Sequence, residues 1–207
     1  MAKAVSWSNA NNVAGFVEAV VDTGRLKSFD DDWRSQSGRM AGYEEAIVAY
    51  AFAMAVGDFP IANSILEVDQ IVSREDINIG FGIQTTAGLF FPVVEQLNRL
   101  SLTNFSDAIG KVKRQVFKEP SDLNLYANPT IAFSSLASYG IISHRPIILP
   151  GTSLTMAYSA PMNSSPRLVN IGFSFDHRLL SGADAAQVSA KVGSIISDPG
   201  AFFDIGS

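Results

Sequence analysis

The amino-acid sequence predicts one α+β domain, 1–207, built on a mixed β-sheet flanked by helices. Three observations carry that expectation. Short runs rich in β-branched and aromatic residues recur along the chain, separated by clusters of Gly, Pro, Asn and Asp. Apolar residues at helical spacing mark separate segments between and after those runs. Apolar residues also make up 47% of the 207 positions, enough for one large core, and no linker, repeat or low-complexity tract divides the chain.

Taken in order, residues 1–12 are polar and end in Asn9-Ala10-Asn11-Asn12, which predicts a strand-like start around Val5 and Trp7 and then a turn. Val13, Phe16, Val17, Val20 and Val21 follow at helical spacing and predict a short helix. Residues 22–41 are charged and punctuated by glycine, the pattern of a loop with at most one helical turn. The strongest helix is Tyr43 to Val56. It carries Tyr43, Ile47, Tyr50, Ala51 and Met54 on one face, while Val48, Phe52 and Ala55 make its other sides apolar too. Gly57-Asp58-Phe59-Pro60 stops it.

Beyond residue 65 the period changes. Leu66–Val72, Ile77–Gln84 and Leu89–Glu95 read as strands, with Thr85-Thr86-Ala87-Gly88 as a turn between the second and third. Ser101 or Thr103 can cap a helix that runs to about Phe117, and Pro120 closes that region. Thr130–Leu136 and Leu154–Ser159 read as strands joined by a loop containing glycine and proline. A last strand, Arg167–Arg178, leads into a helix at Asp184–Ile196 with Val188, Val192, Ile195 and Ile196 on its apolar face. Asp198-Pro199-Gly200 ends it.

Composition excludes several function classes. A net charge of −5 without a basic cluster argues against nucleic acid and anionic membrane as partners. There is no cysteine, so a thiol nucleophile, a disulfide framework and Cys-ligated metal are ruled out. Two histidines, His144 and His177, stand far apart, and no metal site is expected from them. Neither a signal segment nor a membrane-length apolar run is present, which makes a cytoplasmic location the default.

The stretch most concentrated in chemistry is Phe173 to Ala186, FSFDHRLLSGADAA. In an extended chain Phe173, Phe175 and His177 share one face, and Ser174, Asp176 and Arg178 share the other. That arrangement leads the imidazole into apolar surroundings, where burial favours its neutral, basic form. The bland alternative is a satisfied core histidine, which is what a lone His in an apolar strand usually is.

DHRLLSGADAA resembles the DHRxxDGxxAA signature of the acyltransferase catalytic domain of 2-oxo-acid dehydrogenase complexes, a family related to chloramphenicol acetyltransferase. Two upstream stretches are similar to it as well. INIGFGIQTTAGLFFPVVEQLNRLSL (77–102) resembles its NIGxAxxTxxGLxxPVIxxxxxxSL, and TIAFSSLASYG with RPIILPG (130–151) resembles its FTISSLGxxG and TPIINxP. The resemblance implies a chloramphenicol-acetyltransferase-like fold and direct acyl transfer with acetyl-CoA as donor, with no metal and no acyl-enzyme. It implies that His177 is the general base, held by a backbone carbonyl, while Asp176 pairs with Arg178. Ser134 would donate a hydrogen bond to the tetrahedral oxyanion, Gly182 would complete the motif after the histidine, and Thr86 and Gly88 would lie near the substrate channel. It further implies a homotrimer in which the histidine faces a neighbour's serine. His144 has no counterpart in the family and reads as a loop or pocket-rim residue.

Three departures bear on the reaction. Ser181 stands where the family has Asp or Asn. The sequence shows no lipoyl lysine hairpin, subunit-binding domain or Ala/Pro linker. The basic helix that precedes the family's first strand is not expected, because residue 1 is already close to that strand. Together they favour a free-standing acyltransferase that moves an acetyl or other short acyl group from coenzyme A to the hydroxyl of a small molecule. Enzymes of tetronate antibiotic pathways are similar, and a hydroxymethyl-tetronate is the corresponding acceptor. The runner-up is the catalytic core of a dehydrogenase complex, working between dihydrolipoamide and coenzyme A. A non-catalytic scaffold on the same fold is the third reading, with Ser181 its only hint.

Overall fold

A computed structural model describes residues 2–37 and 44–203. Tyr43, the expected first residue of the strongest helix, and residues 38–41 of the expected loop lie outside the described residues. The elements run α1 (Ala2–Asn11), β1 (Ala14–Asp22), α2 (Gly24–Ser37), α3 (Glu44–Asp58), β2 (Ser64–Glu67), β3 (Gln70–Ser73), β4 (Ile79–Phe81), β5 (Ile83–Thr85), β6 (Gly88–Phe90) and β7 (Val93–Val94). They continue with α4 (Leu102–Lys118), β8 (Ile131–Ser135), β9 (Leu154–Pro161), β10 (Leu168–Asp176) and α5 (Gly182–Ser197).

Six strands form one mixed sheet in the order β1-β10-β9-β8-β4-β7, and β2-β3 and β5-β6 are separate hairpins. The pairs β4–β8 and β8–β9 are parallel; the others are antiparallel. The fold is therefore α+β with a mixed sheet and flanking helices, as the sequence predicts. Alternation along the strands sends Phe133, Met156, Phe173 and Phe175 to one face, all buried. There α3 and α5 pack on the sheet; the Phe52 ring of α3 meets Phe173 edge-on at 5.8 Å between centroids. α3 is apolar on nearly every side and buries Ile47, Val48, Phe52 and Val56 completely. Ala132, Ser134, Thr155, Ala157, Gly172 and Ser174 point to the second face.

That second face is crossed by the β8–β9 connection, 136–153. Parallel neighbours oblige the chain to return the length of the sheet, and here it does so in irregular structure apart from one 3-10 turn at Ala137–Tyr139. Asn170 Nδ2 donates to the Ile142 carbonyl at 2.7 Å, and Ser143 Oγ donates to Glu18 at 2.6 Å. The Arg145 guanidinium lies 4.3 Å from the centre of the Phe16 ring.

Several expected elements differ. Residues 2–11, expected to be strand-like, are helical, so a helix does precede the first strand, contrary to expectation. The valine-rich segment from Val13 to Val21 is an edge strand rather than a helix. Its i, i+3, i+4 apolar spacing is also compatible with alternation, since Val17, Ala19 and Val21 face the core while Phe16, Glu18 and Val20 face outward. Strand preference of β-branched residues and nine ladder positions against β10 decide the outcome. The charged segment expected to be a loop folds as α2, because Leu26, Phe29 and Trp33 fall on one side and are buried. The single strand expected at 66–72 is a hairpin. Val68 and Asp69 both take positive φ, 43° and 66°, and make a two-residue turn. A Val-Asp pair gives no turn signal in sequence, and valine in that region is strained.

Candidate active site

β10 ends at Asp176, and the chain turns at once: the N–H groups of Leu179 and Leu180 donate to the Asp176 carbonyl. The Asp176 carboxylate organises this corner. Oδ1 accepts from the Val13 N–H at 3.3 Å, the Arg178 N–H at 3.1 Å and Arg178 Nε at 3.0 Å, while Oδ2 accepts from Arg178 Nη2 at 2.5 Å. Burial works against its charge, but the hydrogen bonds from Arg178 and from Val13 prevail and hold the carboxyl below its usual range. Asp176 thus fastens the histidine loop to the segment entering β1, and the expected Asp176–Arg178 pair is present.

His177 sits at the crest of that turn, with its own N–H donating to the Val13 carbonyl at 2.7 Å. Its ring lies 5.0 Å from that of Phe175, inclined by 60°. The expected burial does not hold within the chain: His177 is exposed. The physical reason is that strand alternation ends one residue earlier, so the imidazole is not carried into the core behind Phe175.

Ser181, exposed, is the N-cap of α5. Its hydroxyl accepts from the Asp184 N–H at 3.2 Å and donates to Asp184 Oδ2 at 2.7 Å, and its own N–H donates to that carboxylate at 2.8 Å. The result is a reciprocal capping box. The Ser181 hydroxyl and N–H hold the Asp184 carboxyl below its usual range. Gly182 opens the helix with open space around its α-carbon, so this glycine is not demanded by local crowding.

Ser134 lies near the C-terminal end of β8, and its side chain is on the second face. Its hydroxyl has no hydrogen-bond partner among the described residues. Register separates it from His177. Ser134 pairs with Ala157 and Ala157 with Gly172, five residues before His177. In one chain the two are therefore roughly 16 Å apart along the strands and roughly 10 Å across them. They do not meet.

Ser134 and Ser135 border a cavity of about 550 Å³, walled by Phe81, Ile83, Leu89, Phe117, Leu136 and Ile141. His177 is not part of it. Gln84 and Leu89 line the cavity, whereas Thr86 lies in the hairpin turn beyond and Gly88 opens β6 just after it at φ +133°. Two further polar side chains reach it that the sequence did not flag. Ser135 Oγ donates to Glu45 Oε1 at 2.6 Å, and Lys113 Nζ lies 5.0 Å from the centre of the Phe81 ring. Glu45 and Ser135 are 90 positions apart, so no local pattern could have joined them.

His144, expected at a loop or rim, is half-buried in the 136–153 connection, with both ring nitrogens enclosed and without a well-formed hydrogen bond among the described residues. Desolvation lowers its pKa, and the Ser134 backbone and the Glu18 charge oppose that only in part. A histidine whose folded pKa lies below its unfolded value near 6.5 binds its proton more readily when unfolded. The stability it contributes is therefore complete above about pH 6.5 and is lost as pH falls toward the folded pKa. Denaturant midpoints at pH 7.5 and 5.5 should fall on acidification, and less so in His144→Phe; equal falls in both proteins would show that His144 is not the source.

Residues 33–203 match the family described as 2-oxoacid dehydrogenases acyltransferase (catalytic domain). The chain belongs to this family. It is 24% identical over 209 residues to the dihydrolipoyllysine-residue acetyltransferase component of the pyruvate dehydrogenase complex of Buchnera aphidicola (strain APS), covering 93% of this chain and 52% of the relative. It is 23% identical over 171 residues to the succinyltransferase component of 2-oxoglutarate dehydrogenase complex 1 of Arabidopsis thaliana, covering 78% of this chain and 36% of the relative. The chain thus spans a third to a half of these relatives.

Among solved structures, the fold is similar to Azotobacter vinelandii dihydrolipoamide acetyltransferase, studied for the catalytic roles of a serine, a histidine and an asparagine. The TM-score is 0.89 at 20% identity, covering 97% of this acyltransferase chain and 88% of that one. Chloramphenicol acetyltransferase is similar at TM-score 0.61 and 12% identity, covering 94% of each chain. The chloramphenicol-acetyltransferase-like fold expected from the motifs is the fold observed.

Proposed function

We propose that this chain is an acyltransferase catalytic unit that moves a short acyl group between coenzyme A and a dihydrolipoamide-type thiol. The supporting observation is the exposed imidazole of His177 on a turn locked by Asp176, Arg178 and Val13, in a chain whose Ser134 hydroxyl is left open beside an apolar cavity. His177 takes the proton of the attacking thiol as its sulfur bonds to the thioester carbonyl carbon. The oxyanion that forms receives the Ser134 hydroxyl proton as a hydrogen bond. Collapse breaks the original carbon–sulfur bond, and the departing thiolate takes the proton back from the imidazolium.

Because His177 and Ser134 are far apart within one chain, the complete site needs His177 of one copy opposite Ser134 of another, as in a homotrimer. A similar solved structure is the cubic core of the pyruvate dehydrogenase multienzyme complex, TM-score 0.89 at 21% identity. The relatives named above come from dehydrogenase complexes rather than tetronate pathways, so the thiol acceptor replaces the hydroxymethyl-tetronate as the leading reading. Acetyl-CoA consumption should be measured with dihydrolipoamide and with a hydroxymethyl-tetronate in parallel. Acylation of dihydrolipoamide is the expected result. Consumption with the tetronate alone would restore the free-standing O-acetyltransferase, and consumption with neither would count against acyl transfer.

A further inference from the structure

The acyl groups handled by this family differ in charge, because its relatives include both acetyltransferases and succinyltransferases. Membership therefore leaves the acyl class open, and the cavity beside Ser134 bears on it. Its walls mix apolar side chains with hydroxyls, the Gln84 amide and the Lys113 ammonium, and the one carboxylate among its lining residues is Glu45. Glu45 stands in the first turn of α3, half-buried, and is held in place by Ser135, the residue after Ser134.

Among the described residues no cation forms an ion pair with Glu45. Its hydrogen-bond partner is a neutral hydroxyl. Arg167 gives both Nη2 contacts, at 3.0 and 3.1 Å, to the neighbouring Glu44. Tyr158 donates to Glu44 as well. Lys113 lies over the Phe81 ring and forms no ion pair with Glu45 among the described residues. A methyl-ended acyl group entering this space meets hydrocarbon, whereas a carboxylate-ended one meets a like charge in a partly desolvated wall. Like charges brought together in such a site are among the strongest devices for rejecting a wrong partner.

We propose that Glu45 is a specificity-determining residue that restricts the cavity to uncharged acyl groups, acetyl and small branched chains, and excludes dicarboxylic ones such as succinyl. The inference rests on the acyl-transfer reading above. Its test is a ratio: kcat/KM for succinyl-CoA over that for acetyl-CoA, both with dihydrolipoamide, in the full chain, in Glu45→Gln and in Lys113→Gln. Glutamine keeps an oxygen to accept from Ser135 and removes only the charge. The unaltered chain should favour acetyl-CoA by about 100-fold or more, and Glu45→Gln should raise the succinyl ratio about tenfold. Lys113→Gln should leave the ratio where it is.

Equal use of the two thioesters by the unaltered chain would overturn the proposal, as would an unchanged ratio in Glu45→Gln. A collapse of succinyl transfer in Lys113→Gln would make Lys113 the anchor for an acyl carboxylate, the opposite selectivity. Failure to consume either thioester would instead overturn acyl transfer itself, so the two failures are told apart.

Discussion

Replacing His177 by alanine is expected to lower turnover by about 10²–10⁴-fold, the usual worth of a positioned general base. The fold should survive. His177 is exposed, and what anchors it is its backbone N–H on Val13, which alanine retains. The contact given up is the tilted one with the Phe175 ring, and substitutions at exposed positions away from caps and ion pairs usually change stability by less than about 0.5 kcal/mol. Turnover and the denaturation midpoint measured on the same preparation separate the two effects. Unchanged turnover would remove His177 from the mechanism. Lost turnover accompanied by a lost midpoint would show that the loop, rather than the imidazole, had been damaged.

The Asp176–Arg178 pair makes that separation possible. Because the carboxylate serves four hydrogen-bond donors in the turn and the β1 entry rather than the imidazole, His177 can be removed without unfastening the corner. A mechanism that used Asp176 to orient the imidazole would couple the two residues. This geometry keeps them apart, and no carbonyl among the described residues accepts a hydrogen bond from the His177 ring.

The parts of the fold that could be read from sequence are those where local pattern and tertiary role agree. β10, α5, α3 and α4 each carry their own signal: an unbroken apolar run, an apolar stripe, or a capping serine such as Ser101, whose hydroxyl accepts from the Asn104 N–H. Where one pattern fits two structures, neighbours decide. The Val13–Val21 segment satisfies helical spacing and strand alternation together, and only pairing with β10 distinguishes them. In α2 three buried apolar residues are outnumbered by exposed charges, so the composition of a loop conceals an amphipathic helix.

The site divides in the same way. His177 and Ser134 were legible through their motifs, but the exposure of His177 depends on where a ladder stops, which no alternation rule states. Ser181 stands where the family has Asp or Asn, and that substitution gives no hint of its local duty. Its hydrogen bonds with Asp184 close a helix terminus whose amides would otherwise lack acceptors. Glu45 could not be found from sequence, since its relation to Ser135 exists only once α3 packs against the sheet.

Ser134→Ala should lower kcat by roughly 10²-fold with little change in KM for acetyl-CoA, since an oxyanion donor acts on charge that develops only in the transition state. The hydroxyl bonds to nothing among the described residues, so its removal leaves no buried partner stranded. A rise in KM alone would make Ser134 a ground-state contact. The same variant also tests where the site is assembled. Neither Ser134→Ala nor His177→Ala should work well alone, but the two mixed, unfolded and refolded together should recover activity. If subunits assemble at random, roughly a quarter of the intersubunit sites then pair an intact His177 with an intact Ser134. A site built within one chain predicts no recovery at any mixing ratio. The distance set by register across β8, β9 and β10 favours recovery, because closing it within a chain would require the sheet itself to break.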